Sequence, residues 1–438
     1  MQKKIIGFYY HANHFANNMI PVIEYVKMSK NVFYVLNFND NGIENKYDFL
    51  KEHMVNYYSD KKYLYIKRLK IVPIFGVLLY FIGLYIWLKH SIQKLNLSSI
   101  ILSDDRTILS CLVLKVCKKL KIKTILYPVE AFQSKRERIN EKIQHNKTYE
   151  NNKFYSVLTN FFPGNYETLN TKIVYWYKPS IAIFGRLLNI LSKNPWIRGG
   201  NNPDVVAVQS VKQFNENFKH NISHGKQILT GFPPHDYLFK NPIDDKIENA
   251  KKISNQKKIA LIVGTTYYQI DKGNDLNHLH IENKKVVKII VDELHPEYKI
   301  LFKLHPRENL KQHKDILGNE LFGQIEFVDP LSNIYELIKI SDFILIYISS
   351  TVIGSLSKDC PIVAFNIGNA RHFESFYSNF QSIKLAHDLD ELKKIVNNYN
   401  KNFTLINEDH KKRLKDRKLF GCFDGKNTER FIKLIESF

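Results

Sequence analysis

The stretch ILFKLHPRENL, residues 300–310, decides how this chain is read. It opens as an apolar run, Ile300, Leu301 and Phe302, stops at Lys303, and delivers His305, Pro306 and Arg307 at its end. A short apolar run bounded by turn residues reads as a buried strand. An imidazole, a rigid proline and a guanidinium at a strand tip leave two readings open. One is a strand-to-loop junction that happens to be polar. The other is a corner that grips phosphate.

The flanking segments alternate in type. KKIALIVGTTYY (257–268) is a strand entering a loop, NKKVVKIIVDEL (283–294) a helix, and QIEFVDP (324–330) a strand. LSNIYELIKI (331–340) is a helix, SDFILIYISS (341–350) a strand, TVIGSLSKD (351–359) a helix start, and CPIVAFNIG (360–368) a strand. Strand, helix, strand at this spacing predicts a parallel sheet with right-handed crossovers.

The first half repeats the rhythm with IIGFYY (5–10), VFYVLNF (32–38), IIL (100–102), the helix TILSCLVLKVCKKLK (107–121), KTILYPV (123–129) and DVVAVQS (204–210). The expected fold class is therefore α/β, with two Rossmann-like doubly wound domains facing a cleft. The expected division is a first domain over 1–235, a linker over 236–258 after Pro233-Pro234, a second domain over 259–415, and a terminal helix in 416–438 packing back on the first domain. Two segments interrupt the first domain. IVPIFGVLLYFIGLYIWL (71–88) could span a membrane, lie in its interface, or be buried; strand-like segments on both sides argue against a span. Residues 135–200, aromatic, basic and apolar together, read as a helical insertion.

The 438 residues are enough for two cores, and at 44% hydrophobic the chain is globular. The four cysteines, Cys111, Cys117, Cys360 and Cys422, form no CxxC pair, which fits a reducing cytosol and neither a disulfide framework nor a zinc site. The N-terminus has too short an apolar run for a signal peptide. A net charge of +21 favours an anionic partner. No zinc finger or basic base-reading helix points to nucleic acid, and lysine is spread along the whole chain, so part of the charge is compositional.

In open parallel sheets ligands bind beyond the carboxyl ends of the strands. In the second domain those ends carry Gly264, Thr265 and Thr266; His305, Pro306 and Arg307; Asp329; and Ser349, Ser350 and Thr351. The last three stand where a strand meets a helix, and three hydroxyls beside free N–H groups make a phosphate seat, although one such residue would serve as an ordinary N-cap. In the first domain the strand ends carry His11 and His14, then Asp104, Asp105 and Arg106, then Glu130. Adjacent carboxylates at a strand tip suit a general base, or else cap the helix that follows. His11, His14, Arg106 and Glu130 are candidate acceptor contacts. No metal constellation or DxD stands out; His278 and His280 read as a loop pair.

Two α/β domains, a linker and a nucleotide seat in the second resemble the GT-B glycosyltransferases. His305-Pro306 and Ser349-Ser350 resemble motifs of bacterial sialyltransferases and of capsule and lipopolysaccharide sugar transferases, in which the histidine and serines hold the phosphate of a CMP-sugar. That resemblance implies His305 as a catalytic group, Asp105 or Asp104 as the base (Arg106 stands where the family's acidic pair is followed by glycine), and a CMP-activated sialic acid-like sugar or Kdo as donor; the missing metal constellation and DxD lead to the expectation of no metal or other cofactor. The acceptor would be a surface polysaccharide or lipid-linked glycan, and the enzyme peripheral at the cytoplasmic face of the inner membrane. SDDRTILSCLVLKVCKKLKIKTILYPVEA (103–131) and FVDPLSNIYELIKISDFILI (327–346) also resemble UDP-N-acetylglucosamine 2-epimerases, but Gly354 and Ser355 stand where that family carries ribose-binding acids. Teichoic-acid polymerases, which transfer polyol phosphate, use a similar histidine-proline and serine-rich corner and form a third alternative.

Overall fold

The computed structural model describes residues 4–9, 18–27, 32–37, 56–59, 73–129, 134–169, 171–240, 257–264, 276–305, 308–330, 332–347, 349–367, 374–401 and 403–438. The chain divides into two units, Met1–Pro234 with Lys426–Phe438, and His235–Gly425.

The first unit is built on a seven-stranded parallel sheet. Its strands are β1 (Ile5–Tyr9), β2 (Val32–Asn37), β3 (Asn56–Ser59), β4 (Ser99–Leu102) and β5 (Lys123–Leu126). An inserted sheet holds β6 (Thr148–Glu150), β7 (Tyr166–Leu169) and β8 (Lys172–Tyr175), after which β9 (Val205–Val208) and β10 (Gln227–Leu229) complete the main sheet. The order is β10-β9-β5-β4-β1-β2-β3. Strands such as β4 and β9 are buried along their whole length, which is why they read as unbroken apolar runs rather than alternating ones.

The apolar segment at 71–88 contributes a helix, Pro73–Lys94. Phe81, Leu84, Leu88 and Ile92 on one side of it enter the core with Leu112, Val116 and Ile100. Among the described residues no helix is long and apolar enough to cross a membrane. The insertion differs from the all-helical expectation. Between the helices Lys135–Gln144, Lys153–Phe161 and Pro179–Leu187 lies the antiparallel sheet β6-β8-β7. Its aromatic side chains make the difference: Tyr149 stacks between Tyr175 of β8 at 4.6 Å and Tyr155 of the helix Lys153–Phe161 at 4.2 Å, so ring packing across strands and onto that helix compensates for the strands' short length. The terminal helix, Asn427–Glu436, packs in this unit. Phe431 meets the ring of Tyr127 edge-on at 5.0 Å, and Arg430 Nε donates to the Thr230 carbonyl at 3.0 Å.

The second unit has six parallel strands: β11 (Lys258–Val263), β12 (Tyr298–Lys303), β13 (Glu326–Val328), β14 (Phe343–Tyr347), β15 (Ile362–Phe365) and β16 (Lys384–Ala386). Their order is β13-β12-β11-β14-β15-β16. The chain winds outward from β11 through β12 to β13, then returns to β14 on the other side. The reversal point is therefore between β11 and β14, where a doubly wound sheet opens its ligand crevice. The first unit reverses in the same way between β1 and β4. Of the expected linker, residues 241–256 lie outside the described residues. Its start, with Pro233–Leu238, is a 3-10 turn in which His235 stacks 5.5 Å from Phe423.

Candidate functional site

At the reversal point of the second unit, Val263 is in register with Lys303 on one side and Ile346 on the other, so three strand tips end level. Gly264 follows at once, its N–H donating to the Lys303 carbonyl at 2.9 Å. A β-carbon at Gly264 would stand 2.7 Å from Glu308 Oε2 and 3.0 Å from the Lys303 carbonyl, so any side chain there would have to displace the Glu308 carboxylate. The tips of β12 and β14 flank β11 at two strand spacings, about 10 Å apart. One nucleotide diphosphate can touch both.

The β12 corner is a locked turn. Glu308 is buried; its Oε2 accepts from the His305 N–H at 2.7 Å, and its own N–H returns to the His305 carbonyl at 2.8 Å. Glu308 Oε1 stands 3.5 Å from Nε2 of the buried His313. Lys303 lies beneath the turn. Its ammonium donates to the carbonyls of Leu304 at 3.0 Å and Pro330 at 2.6 Å, and burial pushes its pKa down to about 8 against the pull of Asp329 and Glu308. Asp329 follows β13, one strand further out than β12. Thr265, Thr266, Pro306 and Arg307 lie outside the described residues.

The β14 corner departs from the expected seat. The helix it opens is a single turn, Val352–Ser355. The Ser349 N–H is already committed, donating to the Tyr377 hydroxyl at 2.7 Å while that hydroxyl donates back to the Ser349 carbonyl at 2.8 Å. Ser349 Oγ and Thr351 Oγ1 are 3.0 Å apart. What this corner offers a phosphate is therefore hydroxyls on a turn pinned by Tyr377, more than a row of open helix N–H groups. Lys303, Glu308 and Tyr377 were not legible as site residues. Lys303 read as the end of a strand, and Tyr377 is distant in sequence from the turn it holds.

In the first unit, Asp104, Asp105 and Arg106 follow β4 at the reversal point, but they face each other. The expected cap is made by Thr107, whose side chain accepts from Ser110 N at 3.2 Å, and neither aspartate caps the helix Ile108–Leu120. Arg106 Nε donates to Asp104 Oδ1 at 2.8 Å, and its guanidinium stands 5.2 Å over Trp176. Asp105 is fully buried. One oxygen, Oδ2, accepts from the N–H groups of Gly199 at 2.9 Å and Asn201 at 3.1 Å, and Oδ1 has no hydrogen-bond partner. Burial, with Asp104 adding repulsion, pushes its pKa up to about 6 against the pull of Arg106. Arg198, also buried, donates to the Tyr127 carbonyl at 2.8 Å and to that of Ser103. The cluster ties β4 to the 198–201 loop. His11, His14 and Glu130 lie outside the described residues. Among the described residues no group of three or more His, Cys, Asp or Glu side chains is placed to hold a metal ion.

Solved structures match over the full length at low identity and share the two-domain α/β fold of GT-B glycosyltransferases and epimerases. A UDP-GlcNAc 2-epimerase from Neisseria meningitidis bound to UDP-GlcNAc is 12% identical with a TM-score of 0.58, covering 99% of this chain and 100% of that one. The glycosyltransferase of kitacinnamycin is 13% identical with a TM-score of 0.57, covering 100% and 99%. The calicheamicin glycosyltransferase CalG4 is 8% identical with a TM-score of 0.55, covering 100% and 98%. No curated protein sequence matches the chain. Residues 205–437, more than half of the chain, match the family described as CDP-glycerol:poly(glycerophosphate) glycerophosphotransferase. The chain is thus a transferase and belongs to that family.

Proposed function

We infer that the protein transfers a polyol phosphate, glycerol phosphate in the first instance, from a CDP-activated donor to a hydroxyl of a growing glycan or polymer. The observation that carries this reading is the family match over 205–437, which contains every strand tip of the second sheet. It moves the donor away from the CMP-sugar implied by the histidine-proline and paired-serine motifs and toward the teichoic-acid-type alternative.

In this reading the acceptor hydroxyl attacks the phosphorus next to the polyol. The bond to the bridging oxygen breaks, CMP leaves with that electron pair, and the acceptor proton is released. Phosphoryl transfer asks a protein mainly for positioning and for stabilisation of charge on the moving oxygens. His305, Ser349, Ser350 and Thr351 serve that purpose, with Gly264 leaving room for close approach of the diphosphate. Lys303, Glu308 and Tyr377 act through the backbone of the two corners and are positioning residues. Asp104, Asp105 and Arg106 shape the first unit's reversal point; the burial of Asp105 and the pairing of Asp104 with Arg106 favour a positioning role over that of base.

The test is incubation with CDP-glycerol carrying label in the phosphate next to glycerol, in parallel with CMP-sialic acid and UDP-N-acetylglucosamine, with and without EDTA. Label entering an acid-labile phosphodiester in the product, insensitive to EDTA, is expected. Sugar transfer from CMP-sialic acid alone would restore the CMP-sugar reading, and formation of N-acetylmannosamine would establish the epimerase one.

A further inference from the structure

The helix Phe403–Phe420 of the second unit buries a charged face. Asp409, Arg413, Asp416 and Phe420 recur at intervals of four, three and four residues, which puts them on one side of the helix, and all four are buried. A helix of a globular protein normally turns an apolar stripe inward. Burying charge costs free energy unless each group is paired or hydrogen-bonded, so the purpose of this face is to be read from its partners. Nothing in HKKRLKDRKLF (410–420) marks it, since the segment has the composition of a solvated basic stretch.

Two groups of partners meet it, both tied to the β14 corner. The first is the chain that leaves the 349–351 turn. Arg413 Nη1 donates to the Lys358 carbonyl at 2.7 Å. Arg417, one turn further on, donates from Nε to the Leu356 carbonyl and from Nη2 to Asp359 Oδ1 at 2.7 Å, and His410 Nδ1 stands 2.9 Å from that same oxygen. Leu356 and Lys358 are bonded in turn to the short helix that the corner opens, their N–H groups donating to the carbonyls of Ile353 and Ser355. The second group is the chain that leaves Tyr377. Asp416 accepts from the N–H groups of Gln381 at 3.0 Å and Ser382 at 2.9 Å and from the Ser382 hydroxyl at 2.7 Å. The ring of Phe420 lies 4.2 Å from that of Phe380, whose N–H donates to the Tyr377 carbonyl at 3.0 Å. Tyr377 is the residue whose hydroxyl bonds both the N–H and the carbonyl of Ser349. One helix therefore holds the turn from behind and holds its pin as well.

We propose that this helix braces the β14 corner for an incoming diphosphate, with Asp416 acting through Tyr377, and Arg413 and Arg417 acting through residues 356–359, as positioning residues. The inference rests on the reading above of that corner as a seat for the donor's diphosphate. Charged groups that grip backbone carbonyls and N–H groups fix direction as well as distance, which an apolar face packed on its neighbours does not. A corner set before the ligand arrives leaves less ordering for binding to supply. The buried charges thus serve the definition of the turn more than the stability of the unit.

Calorimetric titration of the full chain with inorganic pyrophosphate tests the brace whichever nucleotide the donor carries, and titration with CDP-glycerol beside it tests the donor. Asp416→Asn and Arg417→Gln should each weaken pyrophosphate binding about five- to tenfold, the effect of one lost hydrogen bond carried to the seat. Arg417 is the more exposed of the two, its side chain 19% accessible, so its variant keeps the test readable should Asp416→Asn fail to fold. Asp416→Asn combined with Tyr377→Phe should bind within about twofold of either alone, because both act through one pin, whereas Arg417→Gln combined with Tyr377→Phe should multiply the two losses. Glu293→Ala serves as the control. It frees Asn397 at the end of the helix Leu276–Leu294 that leads into β12, away from the strand tips. It should lower the urea midpoint and leave the affinity within about twofold of wild type. Wild-type affinity in Asp416→Asn and Arg417→Gln, an equal loss in Glu293→Ala, or full multiplication of the losses in the Asp416→Asn, Tyr377→Phe pair overturns the brace. A wild-type chain that binds pyrophosphate but not CDP-glycerol refutes the donor assigned above, and the pyrophosphate series still decides the brace. One that binds neither has no diphosphate seat to hold, which overturns both.

Discussion

Replacing Asp105 with asparagine separates a structural carboxylate from a catalytic one. In the folded chain one oxygen of Asp105 holds two backbone N–H groups, and the other has no hydrogen-bond partner. The rise in pKa from 3.8 to about 6 means that the ionised form is disfavoured by about 3 kcal/mol in the fold. The sign follows from proton counting. Below pH 3.8 the group is protonated in both states and there is no pH dependence. Between 3.8 and about 6 the unfolded chain releases its proton while the folded chain keeps it, so stability falls as pH rises. Above about 6 the loss is complete and constant.

Asparagine keeps a carbonyl oxygen for Gly199 and Asn201 and carries no charge. Its NH2 group takes the place of the partnerless oxygen and, lacking an acceptor, gives back about 1–3 kcal/mol. At pH 7.5 the Asp105→Asn chain should therefore be between equally stable and about 2 kcal/mol more stable than wild type, combining those two terms. The sharper readout is the stability difference between the two proteins, measured by urea unfolding at several pH values. It should move by about 2.4 kcal/mol in favour of the variant between pH 4 and pH 7. Turnover of the folded variant should stay within about tenfold of wild type, as expected of a group that acts through a loop. A flat difference across that range, or a loss of turnover beyond about 100-fold in a chain that remains folded, the effect of deleting an acid–base group, would refute the positioning role and return Asp105 to the base.

Three further substitutions probe the second unit. Tyr377→Phe leaves the Ser349 N–H without its hydroxyl partner and should weaken donor binding about five- to tenfold, roughly 1 kcal/mol, in calorimetric titration with CDP-glycerol; unchanged affinity would mean the turn holds itself. Gly264→Ala places a methyl 2.7 Å from Glu308 Oε2 and should destabilise the chain by about 1–3 kcal/mol on urea unfolding; a neutral result would show that the turn yields freely. Lys303→Met keeps the aliphatic stem but removes the donors to Leu304 and Pro330. With the ammonium held at about 8 in the fold, wild-type stability should gain a rising contribution from pH 8 toward the lysine's ordinary 10.5, because the folded chain sheds the proton first. The variant should lack that rise, and an equal rise in both proteins would sink the assignment.

Both sheets were legible, apart from the short edge strands β3 and β16, because parallel strands buried on two faces write themselves as apolar runs. IALIV (259–263), ILF (300–302) and FILIY (343–347) could hardly be anything else at that length. The strand tips were legible for the same reason: where the run stops, a loop begins. What stood on the tips was less so. Asp104 and Asp105 read as an acid pair facing a ligand, but the partners that quiet them, Arg106 and the N–H groups of Gly199 and Asn201, include residues almost a hundred positions away. The inserted sheet was missed because TYE, YETL and KIVY are short and TYE and YETL largely exposed, and their stability rests on rings stacked between β6, β8 and the helix Lys153–Phe161. Lys303 shows the same limit. Its lowered pKa comes from burial under the neighbouring corner, which the apolar pattern of β12 does not record.

The two sheets use one winding order and put opposite chemistry at the same place. At the β1–β4 reversal the described side chains neutralise one another: carboxylate meets guanidinium, carbonyls meet Arg198, and backbone N–H groups meet Asp105. At the β11–β14 reversal Tyr377, Glu308 and Lys303 satisfy the backbone of the two corners, and the paired hydroxyls of Ser349 and Thr351 stand on that scaffold. Fixing backbone before a ligand arrives lowers the ordering entropy charged to binding, and donors held in place stabilise developing phosphate charge without reorganising. Sequence offers both places the same invitation, a polar cluster after a strand. The family match covers the second place and not the first, and that makes the second reversal point the one where the proposed donor is to be sought.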